Sequence, residues 1–517
     1  MTSALQRHIL AKLSEVVTDL QPHQLRVRER LRESPGLVIA HGLGSGKTLS
    51  ALAIADDVGG DATFIVPASL KSNLDKERRR HLQDENFIAA IDSLQRTGLQ
   101  RGDNLPGGDV LVVDEAHRIR EQGEAQSALR RRRRDYRKAA LLTATPVFNR
   151  PSDIAPLVNI AAGSRILPEG QEFDAQYVRE EVVKPSLWGK IRGVAPGTRK
   201  TLTNRQDLRQ RLRQWVDYHA NSTEGFPERV DEEVLVPLTG KQRQTYDAVM
   251  GQAPAWVQYK VRSGLPPSKS EAKQLNAFLS AARQTATSEF GFNTGLTAVE
   301  AAQRSGKITA AVNRLQKQIQ DDPTHKSVIY SNFLDAGLEP TAAALDQAGI
   351  PFARFTGKEK PKDRDAAIKA YNEGRVAALL VSSAGGEGLD LKGTRSIKVL
   401  EPHWNDPKLD QVIGRGIRFG SHAHLPEDQR NVVVERYLSR NPDTLGTRTG
   451  RFFHGIGKAV GLTSGEYRGP LTVDQYLSQL SAEKKALTDD LTSILAEGTS
   501  DYERYRAARA AVERVSP

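Results

Sequence analysis

Short apolar runs punctuate the first part of the chain at the spacing a parallel sheet imposes. They fall at Gly36–Ala40, Thr63–Val66, Val110–Val113 and Ala139–Leu142, separated by segments of helical periodicity such as Lys71–Leu82. Strand-like runs alternating with helical ones predict an α/β fold in which helices cover both faces of a parallel sheet. From about residue 165 to 320 polar, helix-like sequence dominates, interrupted by the Pro/Gly/Ser-rich stretch Ser263–Ser270. A second alternating block follows, with strands expected at Ser327–Ser331, Phe352–Thr356, Ala377–Ser382 and Ser396–Leu400. The remainder is charged and helical, with an amphipathic stretch at Val473–Leu495. These shifts divide the chain into expected regions 1–165, 166–300 (mainly helical), 301–445 and 446–517 (a helical extension).

Composition narrows the class. A chain of 517 residues exceeds what one hydrophobic core holds. No apolar run reaches the roughly 18 residues of a membrane-spanning helix, so no membrane partner is expected. The start, MTSALQRHILAKLSEVV, mixes charge into its apolar positions and is not expected to direct secretion. Without any cysteine there is neither a disulfide framework nor a thiolate metal site. A net charge of +11 points to a polyanionic partner, because neutralising phosphates releases counterions. Five consecutive arginines, Arg130–Arg134, concentrate that charge, with Arg137 and Lys138 close behind. Such a run reads as a solvated helix face unless it borders a nucleic-acid track, which Arg131 and Arg133 are expected to extend.

The chemistry starts at HGLGSGKT, residues 41–48, between an apolar run and a helical segment. Small residues let backbone N–H groups curl around phosphates, Lys47 adds a point charge, and Thr48 offers a hydroxyl to Mg²⁺. Gly44, Ser45 and Gly46 complete the cradle. His41 stands where the strict pattern has glycine, and a ligand-free glycine-rich turn would share the composition. VLVVDEAH, residues 110–117, ends an apolar strand in two acids: Asp114 to hold the metal and Glu115 to polarise the attacking water. In LLTATP, Thr143 and Thr145 are placed to hydrogen-bond this acid site and relay nucleotide state. VSSAGGEGLDL at 381–391 offers glycines for close approach to phosphates. QVIGRGIR at 411–418 spaces Arg415 and Arg418 three apart, on one face of an expected helix, as arginine fingers.

In this order the segments resemble superfamily 2 helicases, and within them the Swi/Snf-type DNA translocases, over roughly residues 20–425. PHQLRVRERL resembles the glutamine motif, which makes Gln24 the expected adenine reader. TFIVPASLKSNL, VVDEAHRIR, LLTATPVFN, PERVDEEVLVPLTGKQRQTYDAV, SVIYSNF and FTGKEKPKDRDAAIKAYNEG continue the series. KVLEPHWNDPKLDQVIGRGIRFGSHAHLP and LTVDQYLSQLSAEKKALTDDL resemble the transcription ATPases of large DNA viruses. Asp390 departs from the asparagine common at its position.

The resemblance implies two RecA-like parallel-sheet lobes with helical insertions and a helical tail. It further implies ATP with Mg²⁺ and hydrolysis stimulated by nucleic acid, most readily double-stranded DNA. His117 and Gln411 join the coupling residues, and Ser69, Lys71, Ser383 and Gly386 are the implied nucleic-acid contacts. An intracellular or virion location, with RNA polymerase or other transcription machinery as partner, follows from the same likeness. A strand-separating DNA or RNA helicase is the alternative within enzymes. An adaptor tethering a polymerase or virion component through the charged tail is the alternative outside them.

Overall fold

The computed structural model describes residues 18–42, 44–82, 88–119, 123–147, 150–191, 193–220, 225–292, 295–382, 391–402, 407–417, 420–442 and 469–515. It divides into two compact units: residues 1–179, 200–222 and 484–517 form the first, and residues 180–199 and 223–483 the second.

The first unit holds β1 (Gly36–His41), β2 (Ala62–Ile65), β3 (Ile88–Asp92), β4 (Gly108–Val113) and β5 (Tyr136–Thr143); a short pair, β6 (Val178–Val183) with β7 (Gly197–Leu202), follows with residues assigned to both units, and then β8 (Val216–His219) of the first. The main sheet has the order β3-β2-β4-β5-β1-β8, and every pairing is parallel. Successive side chains point to opposite faces, so both faces need cover. Val38, Leu111, Val113 and Leu141 pack on one side with Leu157, Ile160, Leu212, Leu491 and Leu495. Leu37, Ile39, Val110 and Leu142 pack on the other with Val27, Leu31, Leu52 and Ile54.

The second unit holds β9 (Glu228–Pro237), β10 (Lys326–Tyr330), β11 (Phe352–Phe355), β12 (Ala378–Val381), β13 (Thr394–Val399) and β14 (Asn431–Arg440). Its order is β11-β12-β10-β13-β14-β9, again all parallel. Two apolar layers cover it, one around Tyr330, Leu379 and Val434 and the other around Ile308, Ile329 and Leu380. A further helical cluster joins Tyr246, Val257 and Leu279 to Val473, Tyr476 and Leu480. Each unit is thus a RecA-like lobe, an all-parallel sheet with helices on both faces.

Two expectations change. The region 166–300, expected to be mainly helical, also supplies an edge strand to each sheet, β8 and β9. Half of the β9 residues are charged, and most of its side chains face solvent. The tail is one helix, Val473–Val515, and is no separate domain: residues to Glu483 belong to the second unit and those from Lys484 to the first. Its apolar face is spent on those cores, which accounts for its amphipathic pattern. Among the described residues no helix is long and apolar enough to cross a membrane.

Candidate active site

The phosphate loop leaves β1 at its carboxyl end, where ligands of open α/β sheets gather. Gly44 and Gly46 adopt φ of 74° and 70°, the left-handed region that glycine enters without strain. Gly46 caps the helix Lys47–Val58, which places Lys47 and Thr48 in its first turn. Lys47 Nζ donates to the carbonyls of His41 (3.1 Å) and Gly42 (3.0 Å), so the ammonium lies folded over its own loop. Ser45 is buried and its hydroxyl donates to the Gly42 carbonyl at 2.8 Å.

Gln24, the expected adenine reader, packs against the loop. It is buried, and its amide Nε2 donates to the carbonyls of Ser45 (3.3 Å) and Gly46 (3.2 Å), while Oε1 accepts from the Gln21 N–H at 2.9 Å. A carboxamide engaged at both ends braces the loop. A Cβ on Gly46 would come within 2.6 Å of that Nε2, which keeps the position to glycine. His23 Nε2 adds a bond to the Ser45 carbonyl at 2.8 Å.

The acids follow β4. Burial and the adjoining Glu115 charge push Asp114 up to about 6, against the pull of Lys47 and His117. Burial also pushes the Glu115 carboxyl up, but the His117 hydrogen bond and charge, with Lys47 and Arg118, outweigh it and hold it below its ordinary value. Two neighbouring carboxyls thus sit in opposite environments. Glu115 holds φ at 50°, a strained conformation for a residue with a side chain. His117 Nδ1 lies 3.3 Å from Glu115 Oε2 and 3.4 Å from Thr143 Oγ1, and Thr143 Oγ1 accepts the Thr145 N–H at 3.1 Å. The structure brings these four expected residues together in one chain of contacts.

The expected nucleic-acid residues divide. Arg133 is buried, and its guanidinium donates to the carbonyls of Pro35, Tyr136, Ile160 and Ala161. It is a structural residue, not a phosphate contact, because the helix Glu124–Arg132 ends one residue earlier and the next turn directs it inward. Arg131 is exposed and donates to the Arg101 carbonyl at 2.9 Å. Arg130 pairs with Glu169, and Arg132 with Asp135 at 2.9 Å. Lys71 Nζ meets Asp92 Oδ1 at 3.3 Å, so it is partly neutralised. Ser69 lies in the single turn Ala68–Leu70. In the second unit the helix Pro407–Gly416 carries Gln411 and Arg415. Arg418, Ser383, Gly386 and Asp390 lie outside the described residues.

Sequence reasoning missed Asp217. It stands on β8, opposite Ile39 of β1, and is fully buried. Arg26 grips it through Nε and Nη2, both at 2.8 Å, Arg30 Nη1 at 3.0 Å and His41 Nε2 at 2.8 Å. Burial opposes its charge, but these three partners outweigh burial and hold the carboxyl far below its usual range. Desolvation leads the factors that lower His41. His219 stacks on His23 with centroids 4.1 Å apart and is pushed down to about 4 by burial and the neighbouring histidines. The signal in the sequence was His41 itself, a large polar residue where the loop pattern has glycine.

The SNF2-related domain matches residues 87–290, and the helicase conserved C-terminal domain matches residues 310–420. A protein of Acanthamoeba polyphaga mimivirus named as an ATP-dependent RNA helicase is 28% identical over 491 residues, covering 93% of this chain and 97% of its own length. A termination factor NPH-I homologue of African swine fever virus is 24% identical over 505 residues, covering 78% of this chain and 69% of its own. The Sulfolobus solfataricus SWI2/SNF2 ATPase core, solved in complex with double-stranded DNA, is similar at 17% identity with a TM-score of 0.35, covering 93% of this chain and 98% of that one.

Proposed function

From the premise that this chain carries an SNF2-related domain and a helicase C-terminal domain, and is a helicase-family ATPase acting with nucleic acid, we propose that it is a motor that hydrolyses ATP to move along duplex DNA. The observation that carries the reading is the placement of the loop with Lys47 after β1 and of the two acids after β4, at the carboxyl ends of strands in one parallel sheet. A cation on a phosphate loop acting on two acids at the end of a nearby strand is the minimum set for phosphoryl transfer to water.

In this reading Lys47 leaves the carbonyls of His41 and Gly42 for the β- and γ-phosphates. Glu115, held ionised by His117, accepts a hydrogen bond from the attacking water and orients it. His117 passes the state of Glu115 to Thr143 and Thr145. Thr48, in the first turn of the loop helix, and Asp114, after β4, are the oxygen donors that would hold Mg²⁺, a small cation that binds through one or two protein oxygens plus phosphates. When bound, the ion neutralises charge developing on the phosphates. Arg415 and Arg418 of the second unit are the proposed guanidinium donors.

Duplex DNA is the proposed track because the SNF2-related match covers the middle of the chain and the net charge is +11. Binding through phosphates makes it salt-sensitive and largely sequence-independent. A place in viral-type transcription, beside RNA polymerase, is supported by the relative named as a termination factor. The test measures ATP hydrolysis without nucleic acid and with single strands, duplex DNA and RNA in parallel. Duplex DNA should stimulate most, without strand displacement. Stimulation confined to RNA would replace this reading with the RNA helicase that the mimivirus relative's name suggests. No stimulation by any nucleic acid would overturn both.

A further inference from the structure

The imidazole of His41 is fully buried at the root of the phosphate loop, and its Nδ1 has no hydrogen-bond partner among the described residues. The ring packs edge-on against His23 and His219, and its polar partner among the described residues is met through its other nitrogen, Nε2. That partner is Asp217, and Asp217 in turn stays charged through Arg26 and Arg30. Neither arginine ends there. Arg26 splits its fork, giving Nη1 to Glu503 at 2.7 Å. Arg30, buried on the same helix, lies 4.1 Å from the ring centroid of Tyr502 and also holds the carbonyls of Arg213 and Val216. Tyr502 donates its hydroxyl to Glu33 at 3.1 Å, and Thr499 Oγ1 accepts the Tyr218 N–H at 2.9 Å, one residue past Asp217. One turn of the C-terminal helix therefore touches both arginines that hold Asp217. At the other end of the chain of contacts, the carbonyl of His41 receives Lys47 Nζ.

We propose that residues 499–503 are a positioning device for the phosphate loop, acting through Arg26, Arg30 and Asp217 on His41. None of these side chains touches nucleotide in this scheme. Their effect is on where the loop backbone and Lys47 stand before ATP arrives. His41 is what makes the device possible, because a glycine at that position would have nothing for Asp217 to hold. The proposal rests on the reading of residues 41–48 as the ATP-binding loop.

The discriminating experiment combines tail and loop substitutions in the full chain, read out as KM and kcat for ATP and as affinity for a fluorescent ATP analogue. Tyr502→Leu with Glu503→Gln should raise KM about fivefold while kcat stays within about twofold. Tyr502→Phe keeps the ring over Arg30 and should restore KM almost to its starting value. In a His41→Ala background the same tail pair should no longer change KM, because the link is already cut. Asp217→Asn should behave like His41→Ala. Should that variant fail to fold, the tail pair and its cycle with His41→Ala decide the matter without it. An unchanged KM in the tail pair, or an equal effect with and without His41, overturns the proposal. Lys47→Ala separates the two levels of the argument. Retained analogue binding there would overturn the loop reading and the proposal with it, whereas lost binding beside a silent tail pair overturns the proposal alone.

Discussion

Lys47 Nζ donates to the Gly42 carbonyl at 3.0 Å, inside the loop it is expected to serve. The charge that would meet a phosphate is therefore held by two carbonyls that a phosphate can outcompete. Lys47→Ala should lower ATP turnover by at least about a hundredfold, the scale of losing a preorganised charge. Affinity for DNA should persist, since that binding draws on phosphate contacts elsewhere. Turnover and filter binding on one preparation check both halves.

Asp114 gives a pH-dependent expectation. Its carboxyl is raised from 3.8 to about 6 in the folded chain, so folding favours the protonated form. The stability it contributes is present below about pH 4 and is lost as pH rises through about 6. Asp114→Asn should abolish hydrolysis and yet stabilise the ligand-free protein by about 1–3 kcal/mol near neutrality. That gain should vanish near pH 4. Thermal melts at the two pH values, without nucleotide, measure it.

For Gln24 the contacts with Ser45 and Gly46 predict a loss of loop order. Gln24→Ala should raise KM for ATP about tenfold and leave the ratio of ATP to GTP turnover unchanged. A collapse of that ratio would restore Gln24 as a reader of the base.

The arginine run should split by position. Arg133→Ala strands several main-chain carbonyls and should cost about 2–4 kcal/mol in urea unfolding. Replacing the exposed Arg130, Arg131 and Arg134 with serine should leave stability nearly unchanged. If they border the DNA track, the salt slope of binding should fall by about 2–3 units. A constant slope would make them a solvated helix end, where arginines suit the helix dipole.

The legible parts of this chain were those where chemistry and periodicity coincide. The apolar runs at Val110–Val113 and Ala139–Leu142 fixed β4 and β5 to within a few residues, and the loop and acids sit at strand ends as their spacing implied. Arg133 was not separable from its neighbours, because only the point where the helix ends decides which arginine turns inward. β3 is a short edge strand that the apolar runs did not include, β8 is four residues with Asp217 and His219 among them, and β9 is mostly exposed. Asp217 lay hidden for a related reason. Its neighbour His41 is remote in sequence, and parallel pairing of β8 with β1 is what joins them.

The division of the first lobe along the chain bears on how it is made. Leu491, Ile494 and Leu495 belong to the same apolar cluster as Val38 and Leu141. About 260 residues lie between Ser222 and Lys484, and all of them belong to the other lobe. At ribosomal rates of about 5–20 residues per second, the first lobe waits roughly 13–50 s for its final helix. During that interval the second sheet can form completely while the first keeps an open apolar groove beside Leu212 and Val216. The first lobe to leave the ribosome is thus the last to close, and a nascent-chain chaperone would find its binding surface there.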